Sequence, residues 1–310
     1  MGFKGKMRDD GSGISTLLIA AVIVVVVVVA AGAAYVVLSG DDDKKEELAP
    51  GTTLLLDISF NGTEMGLFEQ TILGQNKDEY FYMLKGVGTL PLTQYGLSPK
   101  DIPKDAEITG TEPVDTFEGL KTLTVLEYTT EISLVGSAHV KSYFDPETGV
   151  TYKSTVTYAD PASLTGAMIT EVQILKDYDI ILQESYKQSK SIGKTYEYVY
   201  DMGIVQIPAK IECVADCLDG QYGVAYDLSS LAAGLKAYYL SNNIQGLPTD
   251  AVNTGNTLAL NTIDGNITTE IWTLAAEGFT FYFEPDTHIV YRFVLSDGTL
   301  SLIFDLTKKP

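Results

Sequence analysis

A chain of 310 residues with 41 acidic and 21 basic side chains carries a formal charge of −20. Such a surface repels phosphate backbones and anionic headgroups, so nucleic acid is not an expected partner. The two histidines, His139 and His288, lie far in sequence from the only cysteines, Cys213 and Cys217, and no zinc site is expected from so sparse a set.

The first element is the plainest. From Ile14 to Leu38 twenty-five residues pass without a charge, including the valine block Val24 to Val29. As a helix this stretch exceeds a hydrocarbon core of about 30 Å, and it predicts a single transmembrane helix over 14–38. Lys4, Lys6 and Arg8 crowd the short side, whereas Lys44 and Lys45 sit among Asp41, Asp42, Asp43, Glu46 and Glu47. Residues 1–13 are therefore expected in the cytoplasm, with 39–50 an acidic linker on the far side of the plasma membrane. The stretch is too long for a signal-peptide core, and no A-x-A site closes it. The exposed part then carries 18 basic against 39 acidic residues, about −21.

Beyond residue 50 the sequence repeats itself. PKDAEITGTEPVDTFEG from Pro103 to Gly119 aligns with PTDAVNTGNTLALNTIDG from Pro248 to Gly265, and YFDPETGVTYK from Tyr143 to Lys153 aligns with YFEPDTHIVYR from Tyr282 to Arg292. Gly-x-Thr strands open both halves at Gly51 and Gly193. Three landmarks in one order predict two copies of one domain, 51–185 and 186–310, with the polar stretch Lys187 to Ile192 at their junction.

Alternation gives the type of each copy. Leu123 and Val125 have Thr122, Thr124 and Glu127 opposite them, and Leu300, Leu302, Phe304 and Leu306 form another period-two run, the mark of strands with one wet face. Asp145-Pro146-Glu147-Thr148-Gly149 predicts a hairpin turn in which Gly149 takes the left-handed residue; His288 stands at that place in the second copy, which makes it a turn residue before a ligand. Ser296-Asp297-Gly298 predicts a second tight hairpin. One short helix is expected, capped by Ser229 or Ser230 and running through Leu240. The fold class is thus mainly β: an N-terminal transmembrane helix, then two tandem antiparallel sheet domains, half-barrel or sandwich-like.

Chemistry is sparse. No G-x-S-x-G elbow, H-E-x-x-H pair, phosphate-binding glycine loop or dinucleotide fingerprint is present, so no catalytic, cofactor or metal residue is expected, and an enzyme is not. A glycosidase built on two carboxylates alone is the enzymatic alternative. Cys213 and Cys217 could form a local disulfide only if Val214, Ala215 and Asp216 turn, since a strand would separate them by about 13 Å; two free thiols is the other possibility. Asn61-Gly62-Thr63 and Asn266-Ile267-Thr268 are sequons, so Asn61 and Asn266 are candidate N-glycosylation sites. Tyr80, Phe81, Tyr82 and Tyr196, Tyr198, Tyr200 read as cross-strand packing or as an aromatic cleft for a ligand.

Two resemblances add to this. The basic N-terminus followed by GSGISTLLIAAVIVVVVVVAAG resembles the start of archaeal pilin and archaellin precursors, which implies a filament subunit that loses its first dozen or so residues; Asp9 and Asp10 depart from the basic residue usual there. The hairpin YFDPETGVTYK is similar to those of envelope lipoproteins with half-barrel folds of the lipoprotein-carrier type, which implies a concave sheet that binds a lipid-like ligand or a protein partner. The leading expectation is a membrane-anchored, extracytoplasmic, non-enzymatic binding or structural module.

Overall fold

The computed structural model describes residues 47–310 except 89–91, 101, 102, 104, 133–135, 161–165, 184, 185, 233 and 297–299. The expected transmembrane helix, the N-terminus before it, most of the acidic linker, the pilin-like segment and the tip of the Ser296-Asp297-Gly298 hairpin lie outside the described residues. Among the described residues no helix is long and apolar enough to cross a membrane.

The chain is built from antiparallel strands. A two-residue pair, β1 (Glu47–Leu48), is followed by β2 (Thr53–Phe60), β3 (Thr63–Gln75), β4 (Glu79–Gly86), β5 (Thr93–Pro99), β6 (Glu107–Thr116), β7 (Gly119–Ile132), β8 (Gly136–Phe144), β9 (Thr151–Ala159) and β10 (Met168–Asp179). After β11 (Leu182–Gln183), which pairs with β1, come β12 (Thr195–Asp201), β13 (Gln206–Cys217), β14 (Tyr222–Asp227), β15 (Lys236–Ser241), β16 (Val252–Thr262), β17 (Gly265–Leu274), β18 (Phe279–Glu284), β19 (Ile289–Ser296) and β20 (Ser301–Lys308).

The pairings fall into two sets with one order. In the first sheet the strands run β5, β4, β3, β2, β10, β9, β8, β7, β6. In the second they run β15, β14, β13, β12, β20, β19, β18, β17, β16. Local details repeat as well. Gly51 and Gly193 both have positive φ, and their N–H groups donate to Ile72 and Cys213 at 2.7 and 2.9 Å. A bulge falls between Ile72 and Gly74 against β4, and another between Cys213 and Ala215 against β14. Tyr152 donates its hydroxyl to Glu118, and Tyr291 donates to Asp264.

Each sheet curls round its own interior. In the second sheet the Tyr226 ring of β14 meets Phe281 of β18 edge-on at 6.0 Å and Phe293 of β19 at 5.5 Å, although these strands are far apart in the pairing order; only a folded-over sheet brings them together. In the first, Tyr82 and Leu84 of β4 share one buried cluster with Leu123 and Val125 of β7. Both faces of β7 are covered in its middle, from Leu123 to Leu126, so of the expected wet face Thr124 is buried, while Thr122 is exposed and Glu127 half-buried.

The two sheets join about a local two-fold relationship. Gln75 pairs with Tyr80, and Asp216 with Tyr222, each one residue past its bulge. These two equivalent residues face one another where β3 meets β13, with Gly74 opposite Cys217. Self-complementary contact of this kind is the geometry of an isologous dimer, here within one chain. Close approach requires a glycine: a Cβ on Gly74 would lie 2.2 Å from the Asp216 carbonyl oxygen.

Turn chemistry explains the hairpins. Asn61 and Gly62 have φ of 49° and 79° between the paired residues Phe60 and Thr63, the two-residue turn whose twist matches the strands. Gly149 and His288, both with positive φ, close the two equivalent hairpins as expected. The expected helix from Ser229 to Leu240 does not form. Gly234 takes a left-handed conformation, and Tyr238, Tyr239 and Leu240 belong to β15, paired with β14. Their apolar run packs equally well on a sheet, and the cross-strand partners decide. The 3₁₀ turns Leu218–Gly220 and Ala275–Glu277 are single turns.

Candidate functional site

The residues singled out from sequence scatter over the two sheets. Asn61 is exposed at its hairpin tip, where its side-chain oxygen accepts from the Thr170 N–H at 2.8 Å; Asn266 is exposed in β17. His139 lies 3.6 Å from Glu127 on the outside of β8. β13 continues past its bulge through Val214, Ala215 and Asp216 without a turn, and Cys213 and Cys217 are free thiols in the structure. Burial pushes each thiol up to about 12. Tyr80, Phe81, Tyr82, Tyr196 and Tyr198 are buried packing residues. Among the described residues no group of three or more His, Cys, Asp and Glu side chains is placed to hold a metal ion.

One pair of acids meets where the sheets adjoin. Tyr95 of β5 donates to Asp250 at 3.2 Å, and Tyr239 of β15 donates to Glu277. Burial, and then the charge of Asp250, raise the Glu277 carboxyl, while the Tyr239 hydrogen bond opposes them. Both acids are thereby held by phenol hydroxyls.

A different feature emerges when the two interiors are compared position by position. In the second sheet Phe281, Phe293 and Phe304 are cross-strand neighbours on β18, β19 and β20, all fully buried, with Phe293 and Phe304 stacked at 4.7 Å. The strand registers place Ser142, Ser154 and Gln173 at these three positions in the first sheet. Two residues before Phe304 stands Leu302, packed against the aromatic cluster; two before Gln173 stands Glu171. Ile211 of β13, opposite Tyr196, corresponds to Gln70 of β3, opposite Leu54. Five apolar positions in one copy are thus polar in the other. All five polar side chains are buried, Glu171 at 0 % exposure and Gln70 at 4 %.

Four of these groups, with Tyr128, form a seam across β7 to β10, while Gln70 lies apart on β3. The Tyr128 hydroxyl is hydrogen-bonded to Ser142, Ser142 lies 3.5 Å from Ser154, and the Gln173 amide donates to one oxygen of Glu171 at 2.6 Å. The other Glu171 oxygen and the side-chain oxygen of Gln70 are buried without a hydrogen-bond partner. Burial drives the Glu171 carboxyl up to about 7, against the opposing Gln173 bond. Tyr82 and Tyr158 lie within reach of its charge: burial first, and Glu171 next, raise both phenols. Each buried Phe contributes about 1.5–3 kcal/mol of apolar transfer, and an unmatched buried acceptor costs about 1–3 kcal/mol. The first interior therefore forgoes several kcal/mol that the second retains.

No protein-family model matches the chain, and no curated protein sequence does. Among solved structures it is similar to the crystal structure of MucB in complex with MucA(peri), at a TM-score of 0.26 and 10 % identity over 84 % of this chain and 89 % of that one. It is also similar to the complex structure of Pseudomonas aeruginosa MucA/MucB, at a TM-score of 0.26 and 11 % identity over 73 % and 89 %. Likeness at this level carries no functional argument.

Proposed function

We propose that this protein is a non-enzymatic binding module, tethered to the plasma membrane by the apolar stretch 14–38 and displayed outside the cytoplasm. In this reading the interior of the first sheet is the ligand site and the second sheet is its packed structural twin. The observation that carries it is the exchange of Phe281, Phe293, Phe304, Leu302 and Ile211 for Ser142, Ser154, Gln173, Glu171 and Gln70 at equivalent positions, all of them buried except the half-buried Leu302. An apolar solution exists for this interior, because the same chain uses it 131 to 141 residues later. Polar groups buried with unmet hydrogen-bonding capacity mark a place where a partner other than the protein completes the set.

The tether rests on the uncharged length of Ile14 to Leu38 and on the basic residues Lys4, Lys6 and Arg8 before it. Exposure of Asn61 and Asn266 leaves both sequons open to glycosylation in a host that performs it. Native mass spectrometry of the full-length protein, purified from its own cells and released from lipid nanodiscs, tests the binding reading. The expected result is a bound small molecule on the wild type that is lost from the Gln173→Phe variant. A wild type that flies at its bare polypeptide mass would overturn it.

A further inference from the structure

We infer that the ligand of the first interior is a small organic cation carrying N–H donors, a protonated alkylamine, seated against the carboxyl of Glu171. The inference rests on the binding reading above and gives it a chemistry. Four buried atoms of this sheet have no hydrogen-bond partner, the side-chain oxygens of Gln70, Gln75 and Gln94 and Oε2 of Glu171, and only the last belongs to an acid. An amide can turn over and exchange oxygen for nitrogen, whereas an ionised carboxylate offers acceptors alone, so the partner missing at the ionised form of Glu171 is a donor. Its one protein hydrogen bond comes from the neutral Gln173 amide, and among the described residues no Lys, Arg or His forms an ion pair with it.

A buried carboxylate calls for a counter-charge. A hard metal ion would require several oxygen ligands, and no such acid cluster exists among the described residues. An ammonium group needs only one carboxylate and neighbouring acceptors. Tyr82 and Tyr158 add phenol rings close to that charge, and aromatic faces attract organic cations. The smaller Ser142, Ser154 and Gln173, in place of three phenylalanines, lower the side-chain volume filling the interior, which limits the amine to a short apolar body. The formal charge of −20 favours arrival of a cation over an anion.

The test is calorimetric titration of the full-length chain in nanodiscs with n-butylammonium, tetramethylammonium and 1-pentanol. Saturable binding of n-butylammonium is expected, with tetramethylammonium weaker because it has no N–H and pentanol weaker because it has no charge. Glu171→Gln is expected to weaken n-butylammonium by about tenfold or more. Carbon NMR of the glutamate carboxyls in the wild type, where folding is not in question, should show one buried carboxyl ionise as n-butylammonium is added. If pentanol binds and n-butylammonium does not, or if Glu171→Gln binds n-butylammonium as well as the wild type, the amine assignment fails while a ligand-binding interior stands. If none of the three binds and the native mass is bare, both fail.

Discussion

Glu171 and Leu302 occupy the same position of the two sheets, on β10 and β20, yet one is a fully buried carboxyl and the other packs against an aromatic core. The difference has a pH signature. Folding moves the Glu171 carboxyl from an ordinary 4.5 to about 7, so as pH rises the unfolded chain loses this proton first. Stability is undiminished below about pH 4.5, declines between there and 7, and is then lower by a constant amount of about 3 kcal/mol for a shift of this size. Tyr82 and Tyr158, which feel the charge of this carboxyl, stay protonated throughout because burial raises both. Thermal unfolding of ligand-free protein from pH 4 to 8 should show this decline in the wild type and a flatter profile in Glu171→Gln. Identical profiles would mean that Glu171 does not titrate in the folded state.

The two interiors should also differ in what truncation costs. Phe293 is fully buried and stacked on Phe304, so Phe293→Ala is expected to lose about 3–5 kcal/mol. Its counterpart Ser154 touches Ser142 at 3.5 Å, and Ser154→Ala should cost less than about 1 kcal/mol. Denaturant melts of the two variants measure the contrast; equal losses would place the packed core elsewhere.

The junction between the sheets turns on Gly74. A methyl group there would collide with the Asp216 carbonyl and come within 2.6 Å of the Cys217 sulfur, so Gly74→Ala should cost about 1–3 kcal/mol and loosen the β3–β13 pairing. Cys217 reports on it. With both thiols pushed up to about 12 by burial, alkylation by iodoacetamide at pH 8 should be slow in the wild type and faster at Cys217 in the variant. Unchanged labelling in a destabilised variant would show that the clash is relieved without opening the junction.

His288 holds a backbone conformation that suits glycine, with φ of 60° where the equivalent Gly149 has 70°. His288→Gly should therefore stabilise the chain by about 0.5 kcal/mol, and Gly149→Ala should destabilise it by about 1 kcal/mol. Calorimetric melting temperatures moving in opposite directions are the expected result.

What the sequence discloses follows from how local each feature is. The hairpin turn at Asp145 to Gly149, the left-handed place of His288 and the strand character of β20 depend on neighbours in the chain and could be read directly. The helix expected after Ser229 failed because its stripe of leucines and tyrosines suits a strand once β14 supplies a partner. The polar seam was invisible for a related reason. In a period-two strand, Ser142 and Ser154 read as the wet face, and alternation alone does not say which face turns inward. Glu171 and Gln173 were hidden among 41 acids and a polar background. A signal was nevertheless available: extending the repeat alignment one residue beyond each end of YFDPETGVTYK sets Ser142 against Phe281 and Ser154 against Phe293.

The meeting of Gln75 with Asp216 has a historical consequence. Two identical chains bound through this edge would present the same residue to itself across the axis, and every change in one would be imposed on the other. Joining them end to end removes that constraint. One half can keep a rigid aromatic filling, while the other is free to exchange apolar cohesion for buried polar side chains.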